Sequence, residues 1–246
     1  MDPVNLKDPK TVYPDDAAML ELARLVLRDD ARALGEALKK NPAAANTTGR
    51  HNVGLLLLAV ANVRPDSVRV LMRAGADPFW PTSDISNLAE PAIYAQHRFT
   101  RPDMFTIMLE EGLDVNGGFE GEGTTLLKDA VLEADDRRLR QLIATGKVNV
   151  NLADSVQKTP LIIAINSTQY DKALLLLDAG ADPRLGRWNV LEDLVNRHDK
   201  WAPGTPQDRD RKELIRRLRV LGMTETTPMQ PAPQRPAGAR HKSFRP

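Results

Sequence analysis

Four histidines, His51, His97, His198 and His241, are the first residues to test for chemistry. A zinc site would need two of them at metal-ligand spacing on one helix. No pair has that spacing, so they read as surface or loop histidines. Paired carboxylates can divide acid and base roles between them. The adjacent acids Asp15–Asp16, Glu110–Glu111 and Asp135–Asp136 instead fall near helix ends, and Asp135 and Asp136 precede a helix whose dipole favours negative charge. The segment GGFEGEG, residues 117–123, has the glycines of a phosphate loop but lacks the preceding strand and the Lys-Ser/Thr pair. No serine sits in a nucleophile elbow, and the chain has no cysteine, which excludes disulfides and thiolate chemistry. These residues predict no enzyme, no metal and no cofactor.

Composition narrows the partner. The 246 residues carry a net charge of +1, which gives no bulk attraction for nucleic acid or membrane. The basic tail, with Arg235, Arg240, Lys242 and Arg245 against Glu225, has no aromatic beyond Phe244 and reads as solvated. No run of 18 apolar residues is present, so no transmembrane segment is expected. The expected compartment is the periplasm if a signal peptide has been removed, and otherwise the cytoplasm.

The elements that position these residues follow a period. The segment AGADP occurs at Gly75 and again at Gly180, with weaker copies around Gly112 and Gly146, so the steps are 37, 34 and 34 residues. Asn41 upstream and Gly222 downstream extend the series, and Asn41 is expected to share the left-handed backbone of the glycines. A second landmark keeps the same beat: TPLIIA (159–164), EPAIYA (90–95), TLLKDA (125–130), GLLLLA (54–59) and NVLEDL (189–194). Thr159 followed by Pro160 starts a helix, since the hydroxyl caps an orphan N–H and proline suits the first turn. The glycine ends the second helix of each pair by taking a left-handed conformation. Two landmarks in phase define a helix–turn–helix repeat.

This unit resembles the ankyrin repeat, whose hallmark is T-P-L-H-x-A followed by a second helix and G-A-D. The hallmark histidine is absent from every copy, replaced by Ile162, Ile93, Lys128, Leu57 and Glu192. That departure weakens the expected hydrogen bonding between neighbouring loops. The resemblance implies an all-α, ankyrin-like solenoid of five to six repeats with polar loops on one edge. The expected organisation is an extended arm over 1–13 and a solenoid over 14–223. The solenoid comprises an N-terminal cap pair (14–41), repeats at 50–78, 86–116, 121–150 and 155–184, and a C-terminal repeat (187–223) interrupted by RHDKWAPGTPQD. Residues 224–246, with five prolines, are expected to be disordered.

Proteins of this class bind other proteins through the concave face built by stacking. With eleven aromatics in the chain, those in loops are the candidate anchors. The expected protein-binding residues are Phe79, Trp80, Asp84, Phe119, Glu120, Glu122 and Trp188. The same rings could instead cover the ends of neighbouring helices, and Trp201 in the insertion reads that way. The opening segment YPDDAAMLELARLVLRDDARAL is similar to those of bacterial ankyrin-repeat proteins, some of them immunity proteins encoded beside type VI secretion effectors such as lipases. The resemblance implies a non-enzymatic scaffold, monomeric when free, that neutralises a cognate secreted toxin. The alternative is a regulatory adaptor or a host-directed bacterial effector.

Overall fold

The structure is a computed structural model and describes residues 5–80, 103–118, 125–196 and 202–235. The chain divides into two compact units, one built on Met1–Asp114 and the other on Val115–Arg240. The first contains helices α1 (Pro9–Val12), α2 (Ala17–Arg28), α3 (Ala31–Lys40), α4 (Leu55–Ala61), α5 (Pro65–Arg73) and α6 (Met104–Glu110). The second contains α7 (Leu126–Leu132), α8 (Arg137–Ala144), α9 (Pro160–Asn166), α10 (Tyr170–Asp178), α11 (Val190–Asn196) and α12 (Pro206–Val220). Among the described residues there is no named strand, and no helix is long and apolar enough to cross a membrane.

Each helix pair packs internally, α4 on α5 and α9 on α10, and the equivalent helices of successive pairs pack on one another, α2 on α4 and α7 on α9. The core follows from the apolar runs. Leu55 to Val60 are all buried, as are Pro160 to Ile165, so α4 and α9 are covered on every side. The second helices are amphipathic instead. In α5 only Ser67, Val68 and Leu71 are buried, and the outward Arg69 and Arg73 pair with Glu110 and Glu111 at the end of α6. Hydrogen bonding from Arg73 holds the Glu111 carboxyl below the usual range.

Among the described residues the helix starts and stops are as the two landmarks imply; EPAIYA (90–95) lies outside them. Thr159 accepts from the Ile162 N–H at 3.3 Å and Thr125 from the Lys128 N–H at 3.2 Å. The five glycines Gly75, Gly112, Gly146, Gly180 and Gly222 have φ of 83°, 91°, 64°, 89° and 78°. The amide after the glycine reaches back into the helix, Ala76 to the Leu71 carbonyl and Ala181 to the Leu176 carbonyl, both at 2.9 Å. Asn41 does not share this conformation. Its φ is −137°, because Pro42 follows directly and opens a 3-10 turn over Pro42–Asn46. The interruption in the last repeat also differs from expectation. Thr205 and Pro206 inside it form a second Thr-Pro start, with Thr205 accepting from the Asp208 N–H at 3.3 Å, so α12 begins within the segment read as an insertion.

Both ends of the chain depart from the sequence reading. The expected extended arm contains α1, and Val12 and Tyr13 are buried. The Tyr13 hydroxyl donates to the Val53 carbonyl at 3.0 Å, and burial pushes its pKa upward. At the other end, residues 224–235 are ordered against the second unit rather than disordered. Prolines prevent helix formation there but do not prevent an extended segment from pairing with loops. Residues 236–246 lie outside the described residues.

One buried cation joins successive pairs. Lys172, on α10, is 1% exposed and donates to the carbonyls of Val131, at 2.8 Å, and Glu133, at the end of α7. These are carbonyls that a helix leaves unpaired at its C-terminus, where positive charge is favourable. Desolvation nevertheless lowers the Lys172 pKa.

Three outcomes follow for stability. Gly180→Val should cost about 1–3 kcal/mol in denaturant unfolding, wholly through the backbone, because a Cβ there meets nothing within 4 Å. Gly35→Ala, inside α3 with ordinary room beside Val70, should instead stabilise by about 0.5–1 kcal/mol. For Lys172, the unfolded chain holds the proton more tightly than the folded one. The stability of the native protein relative to Lys172→Met should therefore rise as pH approaches the ordinary lysine value of 10.5 from below. Urea titrations of both proteins across that range check the sign.

Candidate protein-binding surface

The loop edge of each unit is set by a side-chain clamp between successive repeats. In the first unit, the Asn46 amide donates to the Gly75 carbonyl at 3.0 Å and accepts from the Asp77 N–H at 2.8 Å. In the second, Asn116 donates to the Lys147 carbonyl at 3.1 Å and accepts from the Asn149 N–H at 2.6 Å. Asn151 accepts from the Asp182 N–H at 2.8 Å, and the Arg184 guanidinium donates to the Leu221 carbonyl. Each clamp holds the turn at the next helix stop. These bonds supply the contact between loops that the missing hallmark histidine would otherwise provide. Sequence reasoning did not find these asparagines. The available signal was their recurrence a few residues after the glycine, as in Gly112–Asn116 and Gly146–Asn151.

The clamps fix where the loop aromatics point. Phe79 is only 4% exposed, so its ring belongs to the interior of the first unit and cannot serve as a surface anchor. Its N–H is held by the Asp77 carboxylate at 2.8 Å. Trp80, the next residue, is 42% exposed. With Asn46, Thr48, Asn52, Leu56, Leu57 and Asp77 it lines a small open pocket. In the second unit Trp188 is 38% exposed, with the Lys158 ammonium 5.4 Å and the Arg187 guanidinium 5.5 Å from its ring centroid. Cations over an indole face stabilise by about 0.5–1 kcal/mol at exposed sites, so the ring is held in place yet open. Val156, 50% exposed, adds apolar surface on a neighbouring loop. Asp84, Phe119, Glu120 and Glu122 lie outside the described residues.

The segment after α12 occupies part of the same edge. The Asn189 amide donates to the carbonyls of Thr224, at 2.9 Å, and Thr227, at 3.2 Å. Gln230 and Gln234 then form isolated parallel bridges with Leu185 and Ala153. Gly186 lets its own loop pack closely on the neighbouring loop at Gln157. Its φ is 107°, and a Cβ there would lie 2.8 Å from the Gln157 carbonyl and 2.4 Å from Ile162. Among the described residues no group of three or more histidines and carboxylates is placed to hold a metal ion.

No protein-family model matches the chain. It is 31% identical over 150 residues to Protein PhlB of Serratia liquefaciens, a match covering 61% of this chain and 63% of PhlB, so the chain spans less than two thirds of that relative. Among solved structures it is similar to an ankyrin repeat domain from Acinetobacter baumannii AYE, with TM-score 0.54 and 22% identity over 86% of this chain and 99% of that one. It is also similar to the ankyrin repeat domain of Bcl-3, a member of the IkappaB protein family, with TM-score 0.53 and 20% identity over 72% of this chain and 79% of that one. The chain has the ankyrin-repeat fold.

The clamp is testable without a partner. Asn151→Ala leaves the Asp182 N–H without its acceptor and should cost about 1 kcal/mol, up to about 3 if no water replaces the amide. Equilibrium unfolding measures it, and Asn151→Asp, which keeps the acceptor oxygen, should recover most of the loss.

Proposed function

We propose that this chain is a non-enzymatic protein-binding scaffold. The observation that carries the reading is the state of its loop tryptophans. Trp80 and Trp188 each follow a helix stop and stand open on a loop fixed by hydrogen bonds. A large, pre-positioned aromatic loses little conformational freedom on binding and contributes much buried area, which is why tryptophan is enriched at interface hot spots. The fold class adds support, since stacked repeats present extended surfaces to partners.

The partner in this reading is a secreted bacterial toxin, such as a lipase effector, bound and neutralised through the concave face. The similarity of residues 13–34 to the opening of bacterial ankyrin-repeat immunity proteins supports it. A toxin gene beside this one, and growth rescue when the two are co-expressed, are the expected findings.

With the partner recovered by pull-down, calorimetry tests the surface. Trp188→Ala should weaken binding by about 2 kcal/mol or more, roughly thirty-fold, with the fold intact. Trp80→Ala tests the first unit in the same way. If both variants bind like the native chain while substitutions on the outward face of α5 or α10 abolish binding, the surface lies on the second helices. If no protein partner is recovered and the chain turns over a small substrate, the scaffold reading is wrong.

A further inference from the structure

The segment 228–235, PMQPAPQR, lies on the second unit in a way that defines what else fits there. The Gln230 N–H donates to the Arg184 carbonyl and its carbonyl accepts from the Gly186 N–H, both at 2.8 Å. The Ala232 N–H donates to Gln157 Oε1 at 2.8 Å, and its carbonyl accepts from Gln157 Nε2 at 3.4 Å. The Pro233 carbonyl accepts from the Ala153 N–H at 2.8 Å. The loops thus read backbone at 230, 232 and 233, with the Gln157 amide standing in for one more peptide group, and the Gln234 side-chain amide adds a bond to the Asp154 carbonyl. N–H groups are required at 230 and 232 and none is required at 231 and 233, where the segment carries proline. The only side chain of 228–235 that is buried is that of Ala232, at 6% exposure, and Pro231, Pro233 and Gln234 are exposed.

Two features make this more than a fixed end of the fold. The segment buries only the Ala232 methyl group and is otherwise held by polar contacts, so its local opening costs less than unfolding of the helices. The residues flanking the contact also exceed what the segment uses. Val156 and Lys158 bracket Gln157, and Arg187 and Trp188 follow Gly186, yet Val156 and Trp188 remain open. A longer or bulkier segment in the same position has additional surface to cover.

We propose that this edge is an extended-peptide recognition site, filled in the free chain by residues 228–235 and taken over by a partner segment of the same pattern, a small N–H-bearing residue between two prolines. The inference rests on the scaffold reading for the existence of a partner and adds where and what kind of segment that partner presents. Backbone pairing along an exposed edge supplies the affinity, and the proline spacing and small central residue supply selectivity. The chain's own segment lowers the apparent affinity by the fraction of time the site is filled.

The probe is a labelled synthetic peptide of residues 226–236, titrated against the full-length protein. Gln230→Pro with Ala232→Pro removes both N–H donors from the resident segment without shortening the chain. This variant should bind the peptide about tenfold or more tightly than the native protein, and adding Gln157→Ala should remove the gain. Equal binding by native and released proteins, or binding indifferent to Gln157→Ala, overturns the proposal. Hydrogen exchange on the native chain provides a second test that needs no variant. The Gly186 and Ala153 amides should exchange through local opening, well ahead of helix amides such as Ile163. Exchange of all of them only through global unfolding overturns the proposal. A captured partner that leaves Gly186 and Ala153 exchange unchanged removes this site but leaves the scaffold standing. Peptide binding with no protein partner recoverable removes the scaffold reading instead.

Discussion

The left-handed glycine turn that ends α5, α6, α8, α10 and α12 is the constraint on which the rest depends. A helix ending in solvent leaves carbonyls unpaired, and glycine at φ near +80° folds the next amide back onto them. That turn sends the chain into the loop at a fixed angle. The asparagine and arginine clamps then act on the same turn from the preceding repeat. Because each clamp reaches only the next stop, loop geometry is set pairwise within a unit, from one repeat to its neighbour. The buried first helices, the amphipathic second helices and the exposed tryptophans all take their places from this turn.

How far these features could be read in the sequence depends on how many residue types each position tolerates. A positive φ at a helix stop admits few residues besides glycine, so Gly75 and Gly180 were visible at once. Asn41 invites the same reading, because asparagine tolerates that conformation without requiring it, but Pro42 decides against it. The clamping asparagines were hidden for a related reason. Asn116 and Asn151 look like ordinary polar loop residues, and only their partners in the next repeat reveal the role. Phe79 and Trp80 are adjacent and similar in type, yet one is buried and the other open, because burial depends on what the loop packs against. The segment 224–235 reads as disordered by composition, since its docking uses backbone groups that composition does not report.

Fold and surface draw on separate residues in this protein. Thr159, Gly180, Asn151 and Lys172 satisfy backbone groups, while Trp188, Lys158, Arg187 and Val156 stand on the loops so held. The loop surface can therefore change without disturbing the caps and clamps beneath it. Gln157 belongs to both sets. Its carbonyl accepts from the Arg187 N–H at 3.2 Å, which ties the two loops together, and its side-chain amide holds residue 232.

The direction of the segment after α12 has a mechanical consequence. Passing from Gln230 to Gln234, it runs from the loop at Leu185 back to the earlier loop at Ala153. A load applied at the C-terminus therefore meets the Ala153 contact first and the Gly186 contact last. Pulled away from the loop edge, the bonds break in sequence as a zipper opens; pulled along the segment, they would share the load. A pull in the first direction would bare the loop edge one contact at a time, Ala153 before Gly186.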